Sequence, residues 1–498
     1  MREIIWKRPI VSHFACKFFN MGEDLIQLAE ELMRIDACMD KAEKDHAHLV
    51  EKVHKRNRSS ALNLLHYLSL RSMDIRDLQD RLHAAGLSSM ASAESHIRGQ
   101  LNAILERLGK GPSSGNYLRY NEGKKLLLDN AKNLFGTHPS IAVPHIMVTY
   151  DSHLADNYPE IKNLVQSGMS IARINCAHDD QATWFRMIQH TKKASRVTGQ
   201  ECRIYMDLAG PKIRTVLKDG KKLRVEVGEN IVLVEENDLT DEANMLGCTV
   251  PDIARQLNIG EIILFDDGLI EARVERIEDK KAWLRVSRVS TKKPFIKAEK
   301  GINFPESNLL LPALTKNDTD NLPFIEKHAD MIGYSFVRRN RDIEMLQEKM
   351  NKNKKLSLII KIETPEAVKN LPDLLFAGLK EERMGLMIAR GDLAVEIGFE
   401  RMSEIQEEIL WISEAAHVPV IWATQVLENL NRSGIATRSE ITDAAHAAMA
   451  DCVMINKGEH IILTLETLRD ILVRSGGHHV KKRFTFRPLA IASRFMGV

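Results

Sequence analysis

The sequence predicts an α/β protein built on a (β/α)8 TIM barrel, with an inserted all-β lid domain and an N-terminal α-helical domain. Three observations carry that expectation. From His145 onward, short apolar runs alternate with helix-like segments; between residues 211 and 299 this rhythm gives way to period-two alternation; and residues 21 to 135 repeat apolar positions at helical spacing. With 498 residues, the chain is also longer than one hydrophobic core usually serves. The expected division is 1–140 helical accessory domain, 141–210 first part of the barrel, 211–299 β-rich lid, 300–475 second part of the barrel, and 476–498 basic tail.

The N-terminal stretch "MREIIWKRPIVSHFACKFF" has no uninterrupted apolar core, because Lys7, Arg8, His13 and Lys17 break it. No apolar run is long enough to span a membrane. Cys16, Cys38, Cys176, Cys202, Cys248 and Cys452 are scattered without CxxC or zinc spacing, which fits a reducing, cytoplasmic setting. Three helices are expected next: "EDLIQLAEELMRIDACMDKAEKDHAHLVEKVHK", "MDIRDLQDRLHAAG" capped at Asp74, and "ASAESHIRGQLNAILERLG" ending in "GKGPSSG". Their mixed charges present no basic face, so a packed helical domain is favoured over a DNA-reading motif. Lys and Arg number 70 against 68 acids, and that near balance also argues against a nucleic-acid partner.

The barrel strands are read from "HIMVTY", "IARIN", "RIYMDL", "MIGYS", "LIIKIE", "MGLMIAR", "VPVIWAT" and "CVMIN", separated by amphipathic segments such as "YPEIKNLVQSG" and "MSEIQEEILWISEAAH". The insert, with "KLRVEVGENIVLVEEN" and "GLIEARVERIEDKKAWLRVSRVS", leaves after the third strand and returns at "KGINFP". Placed over the C-terminal strand ends, it would act as a lid that excludes water. The tail "GGHHVKKRFTFRPLAIASRFMGV" has no acid and reads as a solvated or interface-bound end.

Catalytic groups in such barrels sit at the C-terminal strand ends. Those ends supply Arg173 and Asn175, Asp207, Ser335, Lys361 and Glu363, Asp392, Thr424, and Asn456, Lys457 and Glu459. Glu363 and Asp392, from neighbouring strands, are hard oxygen ligands suited to magnesium. Lys361 and Arg173 beside them suit a phosphoryl group in transfer, whose oxygens need cationic stabilisation. No G-x-x-x-x-G-K-[ST] loop is present, which excludes a P-loop mechanism. "YMDLAGPKIRT", residues 205–215, places Asp207, Lys212 and Arg214 around a Gly-Pro turn where the lid begins.

These residues resemble the pyruvate kinase family. "ARINCAHDD", "MDLAGPKIRT", "FDDGL", "KGINFP", "YSFVR", "IIKIETPEAV", "MIARGDLAVEI" and "WATQVLENL...ATRSEITDAAHA" follow one another in family order across residues 145 to 470. The resemblance implies transfer of the phosphoryl group of phosphoenolpyruvate to ADP in a Mg2+- or Mn2+-dependent reaction, by a homo-oligomer. Glu363 and Asp392 then match the divalent-metal ligands, Lys361 the lysine that stabilises the phosphoryl group, and Arg173 the phosphate-binding arginine. Thr424 matches the threonine near the substrate carboxylate, with Ser335 nearby. Asn175, His178, Asp207, Lys212, Arg214 and Lys300 fall in substrate- and nucleotide-binding segments, Arg214 and Lys300 as cations brought to phosphate by the lid. Asp266 and Asp267 match lid acids.

Four departures accompany the resemblance. The turn after the first strand is "VTYDSHL", so that Thr149, Tyr150 and Asp151 are expected to bring bulk and charge where a nucleotide would approach. Ala177 stands where the family has a serine that ligates potassium. The eighth strand ends in "INKGEH" rather than Ser-Gly-Glu-Thr. Little chain follows the last barrel helix, so the usual regulatory domain, and activation by sugar phosphates, are expected to be absent. Lys212 sits where potassium-dependent members have glutamate, and in the family lysine there accompanies independence from potassium. An ammonium can supply the charge of a monovalent ion, worth about 4 kcal/mol at about 4 Å and an effective dielectric near 20. A carbon–carbon lyase of the phosphoenolpyruvate/pyruvate barrel class and a non-catalytic binding protein on the same fold are the alternatives.

Overall fold

The structure, a computed structural model, describes residues 21–112, 115–137, 143–218, 222–242, 244–291, 293–307, 309, 311–351, 355–481, 483–484 and 491–492. Cys16, the apolar N-terminal stretch and most of the basic tail lie outside the described residues. Eight parallel strands close into a barrel: β1 His145–Thr149, β2 Ile171–Asn175, β3 Arg203–Asp207, β4 Met331–Tyr334, β5 Ser357–Ile362, β6 Met384–Ala389, β7 Val420–Ala423 and β8 Cys452–Ile455. Closure is made by β1, which pairs with β8 through His145↔Cys452 to Val148↔Ile455 and with β2 on its other edge. Each of the eight apolar runs read from the sequence supplies one strand. Both faces of a barrel strand are covered, so the strands read as near-continuous apolar runs rather than alternating ones.

The barrel interior is filled by Met147, Ile171, Tyr205, Met331, Ile359, Met387 and Ile421. Leu134 and Phe135, which end helix Tyr120–Phe135, join this cluster. The Leu134 carbonyl accepts from Arg203 Nη1 at 2.9 Å, at the start of β3, so the helical domain plugs the barrel from the end opposite the strand C-termini.

Among the described residues that domain holds six α-helices where three were expected: Met21–Asp45, Ala47–Lys52, Arg58–Arg71, Arg76–Ala84, Ile97–Arg107 and Tyr120–Phe135. Helix Arg58–Arg71 falls within the stretch expected to be helical but is not marked off as a separate element by the sequence, because it buries polar residues, Ser60, Asn63 and His66, along with its leucines, and this erases the amphipathic stripe. The buried polar groups have work to do. Asn63 Nδ2 donates to the Ala415 carbonyl at 2.8 Å, Asn57 Nδ2 to Leu379 O at 3.1 Å, and Asn130 Nδ2 to His417 O at 2.8 Å. The helical domain is therefore docked on the barrel by side-chain amides that satisfy barrel backbone.

Between β3 and β4 lies a seven-stranded sheet whose outer strands are Thr215–Val216 and Ile302–Asn303. Strands Ile270–Glu278 and Lys281–Val289 form its longest hairpin, closed by the two-residue turn Asp279–Lys280 inside the predicted "EDKK". The sheet has its own core, including Ile231, Leu233, Phe265, Ala272 and Leu284. Among the described residues no helix is long and apolar enough to cross a membrane.

Candidate active site

The segment joining β3 to the sheet is fixed at its turn. Gly210 has φ +65°, and a side chain there would meet Ser335 Cβ at 2.9 Å and the Phe336 ring at 2.8 Å. Only glycine meets both demands. Asp318, buried at the start of helix Lys316–His328, accepts the Ala209 and Gly210 N–H groups at 3.0 and 3.2 Å. The turn thus presents Lys212 and Arg214 above the barrel mouth.

At the centre, the fully buried Asp207 carboxylate accepts three hydrogen bonds and pairs with one ammonium. Its Oδ2 accepts Arg173 Nε at 3.0 Å and Nη2 at 2.6 Å and lies 3.4 Å from Lys361 Nζ, while Oδ1 accepts the Tyr205 hydroxyl at 3.1 Å. Burial alone would raise the Asp207 carboxyl, but the Lys361 and Arg173 charges outweigh it and hold it below the ordinary carboxylate range. Lys361 Nζ also reaches Glu363 Oε1 at 2.9 Å and donates to Ser335 Oγ at 2.7 Å. Ser335 Oγ in turn donates to Leu208 O at 2.7 Å. Burial opposes the charged lysine, yet Asp207 and Glu363 together raise its pKa. Lys361 is held as an ammonium.

Glu363 is pushed the other way. Burial raises its pKa, Lys361 offsets part of that, and the nearby Asp392 charge adds to it. Its Oε2 accepts the Phe336 N–H at 2.6 Å, an amide turned inward by a left-handed φ of +55°. Asp392 Oδ1 pairs with Lys212 Nζ at 2.7 Å. Glu363 and Asp392 face one cavity of about 470 Å3, lined also by Arg173, Asn175, Lys361 and the lid residues Arg214 and Lys300. Two carboxylates facing one cavity fit a hard divalent cation, which needs only one or two protein carboxylates when substrate and water complete its shell. No group of three or more potential metal-ligating His, Cys, Asp or Glu residues occurs among the described residues.

From the lid, Lys300 Nζ pairs with Asp266 Oδ1 at 2.9 Å and Arg214 Nη1 donates to Glu299 O at 2.9 Å. Burial raises the Asp267 carboxyl, against the pull of Lys212. His178 is lowered by burial, then by the Lys457 and Arg214 charges. Asn175 Oδ1 accepts the Ala177 N–H at 3.1 Å.

Thr424 stands apart from this cluster. Its Oγ1 accepts the Gly391 N–H at 2.6 Å, with φ +66°, so it steadies the start of helix Arg390–Ile397, which carries Asp392. Tyr150 corrects part of an expectation: it lines a cleft beside the mouth, but it is buried and its hydroxyl turns inward to meet Thr191 Oγ1 at 2.9 Å. Asp151, paired with Lys457 at 2.9 Å, faces a neighbouring cleft of about 640 Å3 that shares Arg173, Asn175 and His178 with the first.

Sequence reasoning named Thr149 for bulk near a nucleotide and not for its contact with Arg173, whose Nη1 donates to Thr149 Oγ1 at 3.0 Å, and it missed Tyr205 and the Phe336 amide. Tyr205 was findable: it lies two residues before Asp207 on the same face of a strand. The Phe336 amide leaves no trace in side-chain chemistry.

The family model "Pyruvate kinase, barrel domain" matches residues 145–460. A pyruvate kinase of Staphylococcus saprophyticus is 34% identical over 325 residues, covering 63% of this chain and 54% of that protein. A probable cytosolic pyruvate kinase isozyme of Arabidopsis thaliana is 31% identical over 327 residues, covering 64% of each. The chain thus spans about half the length of the staphylococcal relative and under two thirds of the plant one. A crystal structure of a pyruvate kinase from Cryptosporidium parvum superimposes with a TM-score of 0.61 at 25% identity, covering 69% of this chain and 72% of that one.

Proposed function

The chain belongs to the pyruvate kinase family, and from that premise we propose that it is a phosphotransferase moving the phosphoryl group of phosphoenolpyruvate to a nucleoside diphosphate, with ADP the first acceptor to test. One observation carries the reading: a buried ammonium, Lys361, lies within 2.9 Å of Glu363 and shares Asp207 Oδ2 with the phosphate-seeking guanidinium of Arg173.

Arg173 binds the phosphate of the substrate, held in place by Thr149 and Asp207. Lys361 faces the equatorial oxygens as the bond to the enol oxygen breaks, where positive charge counts most. Glu363 and Asp392 would hold Mg2+ or Mn2+. When bound, that ion would supply Lewis-acid stabilisation of the developing charge. Arg214 and Lys300 approach from the lid and exclude water as it closes. Asn303, on the returning lid strand, donates to Glu396 Oε1 at 2.8 Å and ties that closure to the helix bearing Asp392. Ser335 orients Lys361, and Thr424 acts through the backbone at Gly391.

Potassium is not needed in this reading. Lys212 already delivers an ammonium to Asp392, and Ala177 offers no side-chain oxygen to a monovalent ion. The lid cations Lys300 and Arg214 distinguish the chain from a carbon–carbon lyase, which has no transferred phosphate to clamp. Pyruvate release from phosphoenolpyruvate, Mg2+ and a panel of nucleoside diphosphates tests the proposal. Transfer to none of them would refute it.

A further inference from the structure

Tyr205 lies in the apolar interior layer of the barrel, with no exposed surface, beside Met147, Ile171, Met331, Ile359 and Met387. Packing there asks only for an aromatic ring. The hydroxyl nevertheless has a built place. It donates to Asp207 Oδ1 at 3.1 Å, and this is the only hydrogen bond to that oxygen among the described residues. Burial pushes the phenol well above its ordinary value, so it stays protonated and donates.

Gly333, on β4, makes the room. A Cβ at that position would fall 1.9 Å from the Tyr205 hydroxyl and 2.5 Å from Asp207 Oδ1. Gly333 does not have the left-handed φ that would by itself demand glycine. Space for this hydrogen bond, not backbone conformation, is what glycine provides there.

The consequence reaches the cations. Of the two Asp207 oxygens only Oδ2 meets the cations, taking two bonds from Arg173 and lying 3.4 Å from Lys361. A carboxylate free to turn about its Cβ–Cγ bond would offer one oxygen to each cation instead. We propose that Tyr205 is a positioning residue for phosphoryl transfer: its hydroxyl pins the Asp207 carboxylate so that a single oxygen sets the spacing between Arg173 and Lys361. This rests on the phosphotransferase reading for its consequence in rate, and not for its geometry.

Tyr205→Phe keeps the ring and removes only the donor. In its crystal structure the Asp207 carboxylate is expected to turn, so that Arg173 and Lys361 no longer share an oxygen. Its kcat is expected to fall about tenfold while the KM for phosphoenolpyruvate stays within about threefold, the pattern of an interaction used in the transition state. In an Asp207→Asn background the same change should alter kcat by less than about twofold, because its route of action is already gone. A purely structural tyrosine would instead lower kcat equally in both backgrounds. That equal loss, or a Tyr205→Phe structure with both cations still on Oδ2, overturns the inference. Wild-type protein without turnover would count against the phosphotransferase reading alone, because the crystal structure still decides the positioning.

Discussion

Replacing Lys361 by methionine removes an ammonium that touches Ser335 Oγ at 2.7 Å, Glu363 Oε1 at 2.9 Å and Asp207 Oδ2 at 3.4 Å. A unit charge pair at about 4 Å and an effective dielectric near 20 is worth roughly 4 kcal/mol. If the transition state feels that full amount, kcat falls about 1,000-fold, since each 1.36 kcal/mol is about tenfold. Stability falls as well, because Asp207 and Glu363 lose a buried partner, a change that costs roughly 3–5 kcal/mol when nothing else adjusts.

Glu363 can adjust. Its folded-state pKa is already raised by burial and by Asp392, and loss of Lys361 raises it further. A carboxyl whose folded pKa lies above its unfolded value binds its proton more tightly when folded. The folded state is therefore favoured at low pH, and the benefit is lost as pH rises through the folded pKa. Urea unfolding of Lys361→Met should show a smaller loss relative to wild type near about pH 5 than near about pH 8. Pyruvate formation is followed in a coupled assay. Activity within about tenfold of wild type, or equal destabilisation at both pH values, would refute the reasoning.

Three further outcomes are expected. Turnover of the unmodified protein should be indifferent to potassium, whereas Lys212→Glu should lose activity that potassium does not restore, since the new carboxylate would face Asp392 where an ammonium now sits at 2.7 Å; a potassium titration of initial rates checks both. Asn63→Ala removes bonds to the Glu94 and Ala415 carbonyls and from the Ile97 N–H, and should destabilise the protein by roughly 3 kcal/mol, at about 1 kcal/mol for each bond, with kcat unchanged in thermal and kinetic measurements.

Legibility in the sequence followed what each residue is asked to do. Strands buried on both faces announce themselves as apolar runs, so β1 to β8 could be read directly, and acids and cations at their ends could be assigned to one mouth. Helix Arg58–Arg71 could not be read in the same way, because Asn63 and His66 are buried for polar contacts that only the folded domain reveals. Thr424 and Tyr150 illustrate a second limit. Both are polar residues at strand ends, but a left-handed backbone turns one to the Gly391 amide, and the hydroxyl of the other finds Thr191 inside the wall. Strand position predicts where a Cα lies, whereas the hydrogen bond a side chain chooses depends on partners distant in sequence.

The charge arrangement at the mouth carries a last consequence. Four of the five cations suited to bind a phosphate are already engaged by carboxylates, Lys361 by Glu363, Lys212 by Asp392, Lys300 by Asp266 and Arg173 by Asp207, while Arg214 donates to a backbone carbonyl. An anion entering alone must compete with those acids for each cation. In the proposed reaction a divalent cation held by Glu363 and Asp392 would satisfy the same carboxylates and would release Lys361 from Glu363 and Lys212 from Asp392 toward phosphate. Binding of the two ligands must then be cooperative, and thermodynamic linkage requires the factor to be the same in both directions. A coupling of about 1–3 kcal/mol, or roughly 5- to 150-fold, is the usual range for such linkage. Calorimetric titration of phosphoenolpyruvate with and without saturating Mn2+, and of Mn2+ with and without phosphoenolpyruvate, measures both factors. Independent binding would mean that Lys212 and Lys361 keep their carboxylate partners in the loaded site, and that the phosphate is held by Arg173 and the lid instead.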